Sequence, residues 1–169
     1  NQANNPFSEI FDVNRPAVCF ILDGSSDTDD HHATNAKHIE KVRTEAELAA
    51  RNRHRIILGG KQGLNWHAID AYYAAGGREA VVISAPQLVK KDAKGHAIID
   101  DMDGKIAATI VAETLDERKT LMFAASDALV IGPGGMHTLD TIFELITNVQ
   151  VREPILYRQG DTAFVKPAI

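Results

Sequence analysis

Short, continuous apolar runs alternate with helical patterns along most of this 169-residue chain. The runs are apolar at nearly every position, which is typical of strands that are covered on both faces, as in a parallel sheet. Strands are predicted at Ala17–Leu22, Arg55–Leu58, Ala80–Ile83, Ala107–Val111, Ala128–Ile131 and Pro154–Tyr157. The alternation predicts an α/β fold, a Rossmann-like three-layer sandwich with a mostly parallel sheet and right-handed crossovers.

The segments between the strands show the apolar spacing of amphipathic helices. Helices are predicted at Thr34–Arg53, Leu64–Ala75, Leu115–Ala125 and Thr138–Thr147. Residues 1–16 are polar and contain two prolines, so they are predicted to form an N-terminal arm. Residues 17–169 are then expected to form a single domain, in which the polar stretch Pro86–Asp103 is a surface loop or flap.

The composition narrows the classes of function. A net charge of -5 argues against binding to a nucleic-acid polymer, because such surfaces usually carry a basic patch. No stretch approaches the ~20 apolar residues of a membrane span, so no membrane contact is expected. The single cysteine, Cys19, lies within an apolar run and is expected to be a buried small hydrophobe. Since it cannot form an internal disulfide, a reducing cytoplasm is the expected location.

Three of the predicted strands end in glycine or small polar residues. These segments are Asp23–Ser26, Gly59–Leu64 and Gly132–Thr138. Because the carboxyl ends of parallel strands lie at one edge of a sheet, the three loops are expected to lie along that edge. The third loop leads into a helix predicted to begin at Thr138, whose N–H groups and positive end favour an anion. None of the loops fits a P-loop or a dinucleotide fingerprint, so the predicted ligand is a monophosphate or a small nucleotide.

Three further segments carry a resemblance to a known family. In chain order they are Glu117–Met122, the pair Asp127-Ala128, and Pro133–Thr138. They resemble the E-R-K-x-x-M segment, the strand-opening aspartate-alanine pair and the P-G-G-x-G-T-x-x-E motif of the LOG ("Lonely Guy") phosphoribohydrolases. That family, long described as lysine decarboxylases, lies within a wider group of Rossmann-like nucleotide-binding proteins. The resemblance spans roughly Ala17 to Tyr157.

The resemblance implies an activity and a set of site residues. Members of the family typically hydrolyse the N-glycosidic bond of a nucleoside 5′-monophosphate, which gives a free base and ribose 5-phosphate. A carboxylate stabilises the sugar cation or activates water in such chemistry. Arg118 is implied to hold the substrate. The implied phosphate- and nucleotide-binding residues are Gly24, Ser25, Ser26, Gly59, Gly60, Lys119, Gly134, Gly135, Met136, His137 and Thr138.

The family also bears on partners and cofactors. Its members pair through helices near the active site, so a homodimer is expected, with a nucleoside monophosphate or a related phosphorylated small molecule as ligand. The older decarboxylase label is disfavoured, because that chemistry normally needs a pyridoxal phosphate Schiff-base lysine. No sequence context here identifies such a lysine, and no cofactor is predicted.

The chain departs from the family's pattern at positions that matter for chemistry. His137 replaces the last glycine of the motif, and Thr141, which is uncharged, stands where the catalytic glutamate is expected. Asp140 and Glu144 are the candidate substitutes, although Asp140 is rotated about 100° around the helix and Glu144 lies nearly a turn further along. Two functions therefore stay open. One is an active phosphoribohydrolase whose catalytic residues are Arg118, Asp140, Thr141 and Glu144. The other is a catalytically degenerate sensor, carrier or regulatory protein.

Three features keep two interpretations each. His137 is either a new phosphate donor or a plug that closes the site. Trp66, which with Asn65 stands where the family has Met-Gly, either stacks a base or packs in the core, and core packing is favoured. The run Asp27–His32 contains metal-ligand residue types, but an exposed acidic loop explains it more simply, so no metal site is predicted.

Overall fold

A computed structural model describes residues 16–22, 32–89, 93–95, 104–151, 155–159 and 162–166 of the protein. Its elements, in chain order, are β1 (Ala17–Ile21), α1 (His32–Arg51), β2 (Arg55–Leu58), α2 (Leu64–Ala74), β3 (Ala80–Ser84), β4 (Ile106–Val111), α3 (Leu115–Ala124), β5 (Ala128–Ile131), α4 (Met136–Val151), β6 (Ile155–Gln159) and β7 (Thr162–Lys166). The first five predicted strands and all four predicted helices are confirmed, with boundaries that shift by a few residues.

Five of the strands form one sheet in the order β4-β3-β2-β1-β5. Every neighbouring pair is parallel, and β1 lies between β2 and the edge strand β5, with Cys19 opposite Ile57 on one side and Leu129 on the other. The carboxyl ends of all five strands therefore meet at one edge of the sheet. The predicted α/β, Rossmann-like fold is confirmed.

Helices cover both faces of the sheet, which explains the continuous apolar runs. Neighbouring residues of β1 belong to opposite faces, as the two-residue period of a strand requires. Phe20 packs in a cluster with Ile69 of α2, whereas Cys19 packs in a second cluster with Phe123 of α3. Each of these four side chains is at most 1% exposed. The expectation that Cys19 is a buried small hydrophobe is confirmed.

The sixth predicted strand forms, but it does not join the parallel sheet. β6 pairs antiparallel with β7, and Ile155 lies opposite Lys166 in a separate two-stranded sheet. Only two residues separate these strands in sequence, which permits a hairpin but not the crossover that a parallel pair requires. Strand β7 was not predicted from the sequence.

Several predicted features lie outside the described residues. These are the arm apart from Pro16, the loop residues Gly24, Ser25 and Ser26, residues 27–31, and the predicted flap apart from 86–89 and 93–95. The two described stretches of the flap contain neither a helix nor a strand. Among the residues that the structure describes, no helix is long and apolar enough to cross a membrane.

The Asp70 carboxylate forms ion pairs that join α2 to α1 and to the start of β4. Asp70 of α2 binds Arg43 of α1 at 3.0 Å and Lys105, the residue before β4, at 3.2 Å. Hydrogen bonds from Arg43 and then Lys105 lower the pKa of the Asp70 carboxyl from its ordinary value of 3.8. A lowered pKa in the folded state means that this ionised carboxylate stabilises the fold.

We predict that Asp70→Asn lowers the free energy of unfolding by about 0.5–1 kcal/mol at neutral pH, a modest amount because the three side chains are partly exposed. The contribution is complete above the unfolded-state pKa and is lost as the pH falls from 3.8 through the lower folded-state pKa. Urea unfolding of the unaltered chain and of Asp70→Asn, from neutral pH to below the folded-state pKa, measures this difference in the free energy of unfolding. Glu47→Gln, which removes an exposed pair with Arg51, is the control with a smaller expected effect. A difference that is as large in acid as at neutral pH would contradict this account.

Candidate functional site

Helix α3 begins with a capping pattern that fixes where Arg118 enters the site. The Thr114 hydroxyl accepts a hydrogen bond from the Glu117 N–H at 3.1 Å, and the Glu117 carboxylate accepts one from the Glu113 N–H. A Thr followed three residues later by a Glu is a capping-box sequence, which satisfies N–H groups at the start of a helix. Because α3 starts just after the carboxyl end of β4, Arg118 leaves its first turn at the carboxyl edge of the sheet.

The Arg118 guanidinium bridges the ends of two strands. Its Nε donates to the carbonyl of Ile83 in β3 at 3.0 Å, and its Nη2 donates to the carbonyl of Gly59, just beyond β2, at 2.8 Å. Burial lowers the pKa of the guanidinium from its ordinary value, although an arginine keeps its charge at neutral pH. The side chain is therefore held at the sheet edge and is not extended into bulk water.

Gly59 is a glycine because the arginine occupies the space where a side chain would start. A Cβ built on Gly59 would overlap with Nη2 of Arg118. Gly60, the next residue, has room, since the nearest atom to its Cβ would be Nδ2 of Asn65 at 3.9 Å. The observed position of Arg118 therefore requires a glycine at position 59, whereas position 60 has space for a Cβ.

The loop between β5 and α4 packs against β1 and against its own helix. The Gly132 N–H donates to the Ile21 carbonyl at 3.0 Å, which extends the β1–β5 pairing by one residue. A Cβ on Gly134 would overlap with Oγ1 of Thr138, and Thr138 is buried. The threonine side chain therefore covers Gly134, and the loop is held close to the first turn of α4.

Helix α4 begins at Met136, so the predicted start at Thr138 was wrong by two residues. The Gly135 carbonyl accepts bonds from the N–H groups of Thr138 at 3.0 Å and Leu139 at 3.1 Å, as the residue before a helix does. Within the described part of the chain, no backbone carbonyl accepts from the N–H groups of residues 134–137. Such N–H groups carry the positive end of the helix dipole.

Lys119 lies among carboxylates from both α3 and α4. Its Nζ is 2.7 Å from Glu144, 2.9 Å from Asp140 and 3.2 Å from Asp116. The lysine side chain is only 11% exposed, whereas that of Asp140 is 63% exposed. Hydrogen bonds to Asp140 and then Glu144 raise the pKa of the ammonium above its ordinary value. Lys119 therefore joins the two helices as a buried cation with a surplus of negative partners.

The start of α2 holds two residues whose environments the sequence does not reveal. Asn65 is buried, its Nδ2 donates to the Gln62 carbonyl at 3.2 Å, and its Oδ1 has no hydrogen-bond partner among the described residues. Trp66, expected to pack in the core, is 44% exposed, so that preference was wrong. Its ring lies perpendicular to that of His67, with centroids 5.2 Å apart.

Comparison with known proteins identifies the family. The sequence profile described as "Possible lysine decarboxylase" matches residues 67–157, which is more than half of the chain. The chain belongs to this family. A rice protein (Oryza sativa subsp. japonica), "Probable cytokinin riboside 5'-monophosphate phosphoribohydrolase LOGL6", is 32% identical over 105 residues, which cover 62% of this chain and 38% of that protein.

A second relative of this LOG-family chain comes from Mycobacterium tuberculosis. It is a "Cytokinin riboside 5'-monophosphate phosphoribohydrolase", 30% identical over 119 residues, which cover 69% of this chain and 59% of the relative. The chain thus spans less than two thirds of the length of either curated relative.

Solved structures support the fold of the LOG-family chain. Two structures of the molybdenum cofactor carrier protein from Chlamydomonas reinhardtii match it with TM-scores of 0.57 and 0.55, at 15% and 18% identity. Each match covers 83% of this chain and 74% of the carrier protein. At these identities the likeness shows the fold alone.

The structure brings together only part of the site predicted for a LOG protein. Arg118 contacts Gly59, and the loop 133–138 begins at the same edge of the sheet. The two backbone acceptors of Arg118 were missed by sequence reasoning, because a carbonyl has no residue-type signal. Met136 is 79% exposed, and the predicted binding roles of Gly60, Gly135 and Thr138 stay predictions.

Other predicted residues of the LOG site are placed elsewhere or lie outside the described part. Lys119, predicted to bind phosphate, has its ammonium among three carboxylates. Asp140 and Glu144, the predicted substitutes for the family's glutamate, are two of those partners, while Thr141 is buried. The side chain of His137 lies outside the described residues, so neither interpretation of it is decided.

We predict that Gly59→Ala displaces the Arg118 guanidinium and weakens anion binding by about 10-fold or more, the value of a charge-assisted hydrogen bond. Stability should fall little, because the overlapping atom is the far end of a flexible side chain. Titration with AMP and a thermal unfolding curve measure the two effects. Leu48→Ala, at an exposed residue of α1 outside the site, is the control, expected to leave both unchanged. Equal AMP affinity in the two variants would contradict the role given to Gly59.

Proposed function

We propose that this LOG-family chain binds a nucleoside 5′-monophosphate at the carboxyl edge of its parallel sheet. The observation that carries the proposal is the Arg118 guanidinium, which the carbonyls of Gly59 and Ile83 fix at that edge. Both acceptors are uncharged, so they orient the arginine without cancelling its charge. The start of α4 adds the N–H groups of residues 134–137, which favour a phosphate dianion.

We further propose that hydrolysis of the N-glycosidic bond at this site is slow. The relatives are named phosphoribohydrolases, and cleavage of a glycosidic bond generally depends on positioned carboxyl groups. Here Thr141 is buried and uncharged, and both Asp140 and Glu144 are bonded to Lys119. Loss of a positioned acid or base typically costs about 10²–10⁴-fold.

An active hydrolase is the second candidate, and one observation favours it. The Glu144 side chain is 33% exposed and lies on α4, within 2.7 Å of the lysine that follows Arg118. The Glu144 carboxylate thereby contacts α3, the helix that carries Arg118. A substrate that displaced Lys119 would leave Glu144 to act on water.

Isothermal titration with AMP, GMP, CMP and ribose 5-phosphate tests the binding proposal. At least one of the four should bind, and Arg118→Gln should weaken it by about 10–100-fold, because a charged hydrogen-bond donor is lost. Arg51→Gln is the matched control, since Arg51 is an exposed arginine whose described partner is Glu47. The absence of heat from all four ligands with the unaltered chain would overturn the proposal.

Release of adenine from AMP, followed by chromatography, tests the second part. We expect a rate near background from the unaltered chain with AMP bound. The double change His137→Gly with Thr141→Glu, which restores the family's residues, should raise that rate. Adenine release well above background from the unaltered chain, abolished by Glu144→Gln, would instead establish the active hydrolase.

We also propose a homodimer that forms through α4. Met136, Leu139 and Phe143 are 79%, 43% and 64% exposed and follow one another at helical spacing along one stripe. Large apolar side chains grouped in this way mark a contact surface more often than scattered ones do. Light scattering after size exclusion should give twice the mass of the chain. The Phe143→Asp variant should instead have the mass of a single chain. Leu88→Asp, at another exposed apolar residue, is the control, and a monomer at all concentrations would refute the dimer.

A further inference from the structure

Trp66 is a large aromatic side chain that α2 leaves exposed, although the helix buries several of its other apolar residues. In α2, Ala68 and Ile69 are fully buried and Tyr72 is 3% exposed, whereas Trp66 is 44% exposed. An indole is among the largest apolar surfaces that a residue offers, and its exposure forgoes the free energy that burial would give.

The loop that holds Arg118 also positions Trp66. The carbonyl of Gly59, at the start of the loop, accepts a hydrogen bond from the Arg118 guanidinium. The carbonyl of Gly63, at the end of the loop, accepts one from the backbone N–H of Trp66 at 3.1 Å. Gly63 has a φ of 58°, a left-handed conformation that turns the chain into the first turn of α2. Four Cα steps separate the two glycines, which limits their distance to about 14 Å. The guanidinium and the backbone of Trp66 are thus bonded to opposite ends of one short loop at the carboxyl edge of the sheet.

The indole is constrained on one side. The His67 ring stands at 87° to it, with centroids 5.2 Å apart, an edge-to-face arrangement that favours one orientation of an aromatic pair. Behind it, the buried Asn65 side chain ties the helix start to the loop through the Gln62 carbonyl. A surface aromatic whose orientation is already restricted loses little conformational entropy when a flat ring stacks on it.

We infer that Trp66 is the platform on which the base of the bound mononucleotide stacks. The inference rests on the proposed function, which places the phosphate at Arg118 and the start of α4. A base joined to that phosphate through one ribose must lie within a short reach of the guanidinium, and Trp66 is the exposed aromatic ring that the same loop presents. Stacking on an indole is tolerant of base identity, so the ligand class is any purine or pyrimidine mononucleotide rather than a bare sugar phosphate.

Two ligands separate stacking from phosphate binding. Trp66→Ala should weaken AMP by about 5-fold to 150-fold, the usual worth of one base–aromatic stack, and should leave ribose 5-phosphate unchanged. Trp66→Phe should retain most of the AMP affinity. Leu48→Ala removes an exposed apolar side chain from α1 and is the control, with no effect expected on either ligand.

Fluorescence gives a second readout, because Trp66 is the single tryptophan of the chain. AMP should change the indole emission of the unaltered protein, and ribose 5-phosphate at saturation should not. Equal weakening of both ligands by Trp66→Ala would show that the residue supports the loop, and unchanged AMP affinity would show that it contacts nothing; either result overturns the inference. If neither ligand binds the unaltered chain, the proposed function fails first and the inference falls with it.

Discussion

The arrangement of the site depends on one pair of hydrogen bonds, from the Arg118 guanidinium to the carbonyls of Gly59 and Ile83. Through them a helix on one face of the sheet is tied to the ends of two neighbouring strands. Because both acceptors are neutral, the bonds fix the position of a positive charge without neutralising it. A half-buried cation held in this way is costly to desolvate, and an anionic ligand would offset that cost.

Lys119, the next residue in the helix, has its positive charge paired with carboxylates, unlike that of Arg118. Lys119 is turned by about 100° from Arg118 around the helix axis and is surrounded by carboxylates. Asp140 and Glu144 come from α4, so the same ion pairs that fasten α3 to α4 occupy the two acids nearest to position 141. The positive charge of Arg118 thus lies at the sheet edge beside Gly59, whereas the carboxylates of α4 are bonded to Lys119. This arrangement favours the binding of an anion over general acid or base catalysis.

How much of this could be predicted from the sequence depends on whether an interaction has a residue signature. The strands β2 and β5 were predicted with their observed ends from their apolar runs, although only β2 is buried along its whole length, whereas β5, at the edge of the sheet, is partly exposed. The pairing of β6 with β7 was not, because a short apolar run does not reveal its neighbour. At Gly59 the sequence showed a glycine, but not that a guanidinium from a helix 59 residues later requires it. Trp66 was assigned to the core on residue type, which indicates how much surface a side chain can bury but not whether the fold buries it.

In the proposed site, binding and hydrolysis would depend on different residues, so the two properties could change independently. The backbone features at the sheet edge require glycine at Gly59 and Gly134, where a side chain would overlap with Arg118 or Thr138. The position of the family's glutamate is occupied here by a buried, uncharged threonine, Thr141. A chain that keeps the two glycines and lacks the glutamate is consistent with the proposal that a phosphate is held at the sheet edge while hydrolysis is slow. In the described part of the chain, the two carboxylates of α4 beside that position, Asp140 and Glu144, are already bonded to Lys119, and this favours the proposed binding function over hydrolysis.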